Sequence, residues 1–214
     1  MNAASIPPPR VHWGLLLAAA ATLMITMGAR QTTGLFVAPI HQDTGIGIAA
    51  ISFALAIGQF TWGAVQPVFG AIADKRGSTG VLVLGAVLLA LGLALTPHIT
   101  SAWGLMFTLG VLTAAGAGAG SFSILIGATA QRLAPEQRSF AAGFINAGGS
   151  LGQFVFAPLV QAVIAFAGWA SAMYTLAVAS LLAIPLALPL RRTTTPVPAS
   201  HAVTAIGDIT LKQQ

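Results

Sequence analysis

Arg30 lies inside an apolar stretch that runs from about Val11 to Val37. Hydrocarbon penalises a guanidinium by several kcal/mol, so a side chain that is always charged normally turns there toward a protein interior or a wet cavity. The chemistry it brings is attraction for an anion, with snorkelling toward the headgroups as the competing reading, since Arg30 sits beyond the middle of its stretch. Thr22, Thr26, Arg30 and Thr33 are spaced by 4, 4 and 3 residues and share an arc of about 80° on a helix. Further along, Ser52, Gln59 and Gln66 recur every seven residues within an arc of about 40°, with Trp62 beside them. Asn146, Ser150, Gln153 and Gln161 fall on one side of a later apolar run. An amide both donates and accepts, so such residues either contact a solute or tie helices together. Arg30, Thr26, Thr33, Gln59, Trp62, Gln66, Asn146 and Gln153 are therefore the candidate solute contacts.

Membrane helices must carry these stripes. The chain has 214 residues, 56% hydrophobic and 6% charged, with a mean hydropathy of +0.87, a surface that no water-soluble domain of this length tolerates. About 20 apolar residues cross a ~30 Å hydrocarbon core as a helix. Runs of that kind predict six spans, near 11–37, 47–73, 80–96, 101–130, 140–167 and 169–190. The last two must turn at Gly168 almost without a loop. Before and after the bundle of residues 11–192 lie a short segment, 1–10, and a polar, Pro-containing stretch, 193–214, expected to be a flexible tail or linker.

Lys and Arg in short loops stay on the cytoplasmic side. Placing the amino terminus there puts Arg10, Lys75, Arg76, Arg132, Arg138, Arg191, Arg192 and Lys212 all inside, and leaves the opposite loops, near 38–46, 97–100 and 168, without a Lys or Arg. Both termini are thus expected in the cytoplasm. The isoelectric point of 11.3 follows from this bias, and no nucleic-acid partner is implied. The first apolar run is too long for a signal-peptide core and is expected to remain as an anchor. There is no cysteine, and His12, His41, His98 and His201 match no metal-site spacing. No cofactor or metal is expected. A Ser-His-Asp set, paired carboxylates and a phosphate-binding loop are all missing, which argues against an enzyme.

Small residues and polar stripes report which helix faces meet protein or water. The first, second, fourth and fifth spans carry such faces, the fourth through Thr113, Gly116, Gly120, Ser123 and Gly127. The third and sixth hold no Asn, Gln or charged residue in their cores and should face lipid. Gly116-x-x-x-Gly120 and Gly148-x-x-x-Gly152 read first as close-packing faces. Gly58-Gln59-Phe60 and Gly152-Gln153-Phe154 occupy the middles of the second and fifth spans, equivalent places if the chain is two three-helix units of opposite orientation. Inverted repeats with polar groups near the midplane are a construction of secondary transporters.

Between the second and third spans the chain reads GAIADKRG, with Gly70, Asp74, Lys75, Arg76 and Gly77. A glycine allows close packing of the helix end, the carboxylate can pair with an Arg or a facing helix N-terminus, and the bases hold the loop inside. This resembles the G-x-x-x-D-[RK]-x-G loop signature of the major facilitator superfamily. The six-span layout is similar to the amino-terminal half of such a transporter. Within the superfamily, RQTTGLFVAPIHQDTGI followed by ISFALAIGQFTWGAVQPVFGAIADKRG is similar to bacterial members of the monocarboxylate and oxalate:formate porter group. The resemblance implies a multi-pass protein of a bacterial inner membrane, with the loop motif helping to stabilise the outward-facing state. It also implies a cavity lined by the first, second, fourth and fifth helices.

The chain departs from the pattern in places. Ser78 and Thr79 stand where two further bases are usual, which implies a weaker charge network. Leu112 stands where many proton-coupled drug antiporters have an Arg, which disfavours drug/proton antiport. The superfamily normally has twelve spans, and the main cationic substrate contacts of the monocarboxylate group lie in its second half.

The expectation is therefore an all-α membrane bundle, six helices in a 3+3 inverted repeat, supplying one half of a secondary transporter. It would carry a small, monocarboxylate-like anion by alternating access. A homodimer, a separately encoded second half and a truncated gene product all remain open. The rivals are an oligomeric six-span channel and a fragment that transports nothing.

Overall fold

A computed structural model describes residues 12–191. The expected segments 1–10 and 193–214, with Arg10, Arg192, His201 and Lys212, lie outside the described residues. The described residues are built of helices: α1 (Trp13–Gln31), a 3-10 turn (Thr32–Phe36), α2 (Val37–Thr44), α3 (Ile48–Arg76), α4 (Ser78–Leu95), α5 (Ala102–Leu105), a π-helical segment (Met106–Thr113), α6 (Ala114–Ala119), α7 (Phe122–Ala130), α8 (Pro135–Leu181) and α9 (Ala183–Ala187).

Joined end to end, they make five continuous stretches long and apolar enough to cross a membrane: Trp13–Thr44, Ile48–Arg76, Ser78–His98, Ala102–Ala130 and Pro135–Leu190. Helices suit this solvent because they satisfy their backbone groups internally. Hydroxyls do likewise. Thr22, Thr32, Thr96, Thr129 and Ser180 each donate to the carbonyl four residues back, which explains how buried hydroxyls sit in apolar helices at little cost.

The fifth stretch has 56 residues, about 84 Å if straight and far beyond one crossing. It does not run straight. Gly168 adopts φ 83° and ψ 165°, a region open essentially to glycine alone, and the chain reverses there. The reversal brings the end of the stretch back to its beginning: Arg132, just before α8, donates from Nη1 to the carbonyl of Pro189 at 2.6 Å. Ser78 donates to the carbonyl of Leu190 at the same end. At the other end Trp169 Nε1 donates to Asp43 Oδ2 at 3.2 Å, and the Tyr174 hydroxyl meets His98 Nε2 at 3.0 Å.

Two apolar cores fill the bundle. One, toward Asp43 and Gly168, contains Phe36, Ile40, Ile51, Leu89, Leu93, Leu105, Met173 and Leu176. The other, toward Arg132 and Leu190, contains Leu16, Leu23, Leu82, Leu125, Ile145 and Leu190. Small residues set the helix separations, as the lack of hydrophobic drive between helices in lipid requires. A Cβ at Gly148 or Gly152 would strike the α1 backbone at Ala20 or Met24, and one at Gly116 would strike α4 at Leu89. Both small-residue motifs therefore pack helices, although Gly120 turns to a different neighbour, Thr26 of α1.

The exposed faces differ in character. Those of α4 and of the arm after Gly168 present Leu84, Leu91, Leu95, Val178, Leu181 and Leu182. Those of α3 and of the arm before Gly168 present Ser52, Gln59, Asn146, Ser150 and Gln153 among large apolar side chains.

Candidate functional site

The first span tightens just after Arg30. Thr32 donates to the carbonyls of Gly28 and Ala29, Thr33 donates to that of Arg30 at 2.7 Å, and the chain continues through the 3-10 turn. This holds Arg30 at the mouth of a cavity of about 220 Å³ lined by Arg30, Gln31, Thr33, Gln59, Leu109 and Thr113, with Gly34, Leu55, Gly58 and Ala114 completing the wall. Three spans contribute. The fourth does so through its π-helical segment, where Thr113 donates to the carbonyl of Thr108, five residues back, at 2.8 Å. Leu109 and Thr113, four residues apart, both line the cavity wall, and π turns of this kind recur at functional sites.

The guanidinium is half-buried and held on three sides. Its Nη1 donates to Gln31 Oε1 at 2.9 Å, its Nη2 donates to Gln59 Oε1, and its carbon lies 4.1 Å from the centroid of the Trp62 ring. Gln31 Nε2 in turn donates to Gln153 Oε1 of α8 at 3.3 Å. Amides and an aromatic face orient the charge without neutralising it, and none of the residues lining the cavity is acidic. The Trp62 indole N–H is buried with no partner among the described residues.

Of the candidates from the sequence, Arg30, Thr33 and Gln59 line one cavity, Trp62 adjoins it, and Gln153 reaches it through Gln31. The others go elsewhere. Thr26 is buried, and its hydroxyl donates to the Gly120 carbonyl at 3.0 Å and to its own helix. Gln66 lines a second cavity, where its Oε1 accepts from Ser123 at 3.1 Å. Asn146 lies on the open face of α8, away from both cavities. Gln31 lies about 100° around the helix from Arg30, off the polar stripe; the sequence marks it only as a third amide at the depth of the charge.

The second cavity, of about 770 Å³, opens between α3 and α7 toward the Arg132 end. Gln66, Gly70, Asp74, Ser123 and Arg132 are among its lining residues. Pro67 also lines it and has no N–H, so the carbonyl of Gly63 on the same wall loses its helical donor. Asp74, Lys75 and Arg76 are exposed. Gly77 ends α3 and begins α4 at φ 92°, ψ 147°, a conformation that requires glycine. Close packing is not what Gly70 provides. No neighbouring side chain or facing backbone lies within 4 Å of where its Cβ would sit.

Five apolar helical stretches, each long enough to cross a hydrocarbon core, define a multi-pass membrane protein. Residues 18–209 match the Major Facilitator Superfamily, and the chain belongs to that family. It is similar to the oxalate:formate antiporter of Oxalobacter formigenes, at 29% identity over 84% of this chain and 43% of that protein. It is also similar to monocarboxylate transporter 13 of Rattus norvegicus, at 28% identity over 81% of this chain and 41% of the relative. Monocarboxylate transporter 11 of Mus musculus matches at 28% identity over 86% and 41%. The chain thus spans about two fifths of the length of these relatives.

Proposed function

We propose that the chain forms a six-helix half of a secondary transporter for small organic anions, built as two inverted three-helix units and working by alternating access against a second half. The observation that carries the reading is the charge balance at Arg30: a cation inside a span, oriented by neutral groups and facing a cavity whose lining has no carboxylate. An anion supplies the missing countercharge. The cavity, at about 220 Å³, is smaller than the ~300–1,000 Å³ usual for drug-sized ligands and suits a compact carboxylate. Arg30 attracts it, Gln59 and Thr33 offer hydrogen bonds, and Gln153 adjoins from α8.

The reversal at Gly168 supports a sixth crossing, which returns the chain to the side where it began. The repeat is supported by an exchange of partners. Gly58 of α3 packs on Leu109 and Ala114 of the fourth span, while Gly152 of α8 packs on Met24 of the first, as a two-fold relation between the halves of the bundle requires. Phe60 and Phe154, which follow the paired glutamines, are both 78% exposed. The loop residues Gly70, Asp74, Lys75, Arg76 and Gly77 belong in this reading to the cytoplasmic side. There Gly70 and Asp74 border the larger cavity and serve the change of state rather than the anion. Thr26 serves packing.

The test is uptake of radiolabelled oxalate by proteoliposomes preloaded with formate. Arg30→Gln should abolish uptake with membrane insertion intact, and Arg30→Lys should keep part of it. Equal uptake by the native chain and Arg30→Gln would remove the reading.

A further inference from the structure

Among the described residues, the Arg30 side chain donates to two amide oxygens, those of Gln31 and Gln59. Gln31 bonds on both sides: its oxygen accepts from Arg30 Nη1 and its nitrogen donates to Gln153. The two bonds fix each other. With Oε1 turned to the guanidinium, Nε2 must point away, and the acceptor it meets is on α8. A chain of contacts then runs from Gln59 of α3 through Arg30 and Gln31 of α1 to Gln153 of α8. It joins the two glycine-glutamine-phenylalanine segments across the first span.

We infer that Gln31 is a positioning residue for the anion site, holding the Arg30 guanidinium toward the cavity by a bond that Gln153 anchors from the other end of the amide. The inference rests on the anion reading above. A guanidinium on a long, flexible stem loses binding power if it must be ordered when the ligand arrives, and pre-ordering it strengthens binding without a new ligand contact. The amide suits this role because it is neutral: it accepts from the cation but leaves its charge available. A carboxylate of the same shape would consume that charge in an ion pair.

The test is equilibrium binding of radiolabelled oxalate to the purified full chain in lipid nanodiscs. Gln31→Leu should weaken binding about tenfold, the scale of one hydrogen bond to a charged group. Gln31→Glu keeps the shape and should lose binding as fully as Arg30→Gln, whereas a residue needed only for packing would tolerate that change. Native-like binding by Gln31→Glu or by Gln31→Leu overturns the role of Gln31. Native-like binding by Arg30→Gln overturns the anion site itself, so the two failures are told apart.

Discussion

The guanidinium carbon of Arg30 rests 4.1 Å above the Trp62 ring, which leaves the N–H edge of the arginine to Gln31 and Gln59. Such a contact contributes about 0.5–2 kcal/mol, more as water is excluded. Trp62→Leu should therefore weaken oxalate binding by roughly two- to thirty-fold. Trp62→Phe keeps an aromatic face and removes an indole N–H that is buried without a partner among the described residues, so it should bind nearly as the native chain does. Equal affinity for the Leu and Phe variants would show that the ring face does not hold the charge.

Thr26 shares a stripe with Arg30 but donates to Gly120 instead. Thr26→Val should lower unfolding stability by about 1 kcal/mol and leave anion affinity unchanged. Thermal unfolding in detergent alongside binding measurements separates the two effects. A loss of affinity without a loss of stability would return Thr26 to the binding site.

Gly152 faces the α1 backbone at Met24, whereas Gly127 of α7 has no such neighbour within 4 Å of its Cβ position. Gly152→Ala must force helices apart and should cost about 1–3 kcal/mol. Gly127→Ala should be neutral or slightly stabilising. Comparable melting temperatures for both variants would contradict the packing described for α1 and α8.

At Gly168 a side chain meets no close neighbour, so the demand for glycine comes from the backbone alone. Gly168→Ala should destabilise by about 1–3 kcal/mol through its positive φ. Gly14→Ala, equally free of neighbours but at ordinary helical angles, serves as the control. If the two variants melt together, the turn is not built as described.

Helical periodicity exposed the right faces but not the right depths. Gln59 and Gln66 share a face of α3, yet seven residues separate them by about 10 Å along the axis. One consequently meets Arg30 while the other meets Ser123 in the second cavity. Thr26 is likewise on the face of Arg30 but one turn away, at the level where Gly120 brings another backbone close. Gly168 was readable because two apolar runs abut there and only glycine turns so sharply. The π-helical register of Met106–Thr113 had no compositional signal. Its neighbours come from other spans, with Gly92 against Thr113 and Gly58 against Leu109. Gln31 was lost for a related reason, since its partners come from its own helix and from α8 rather than from a repeating pattern.

The turn at Gly168 also governs what can be done to the molecule from outside. Its two arms are joined by a single residue and closed over by the Trp169–Asp43 bond, so this rim offers no slack for a protease to enter or an epitope tag to occupy. A fluorophore or affinity handle introduced at that point would pull the arms apart.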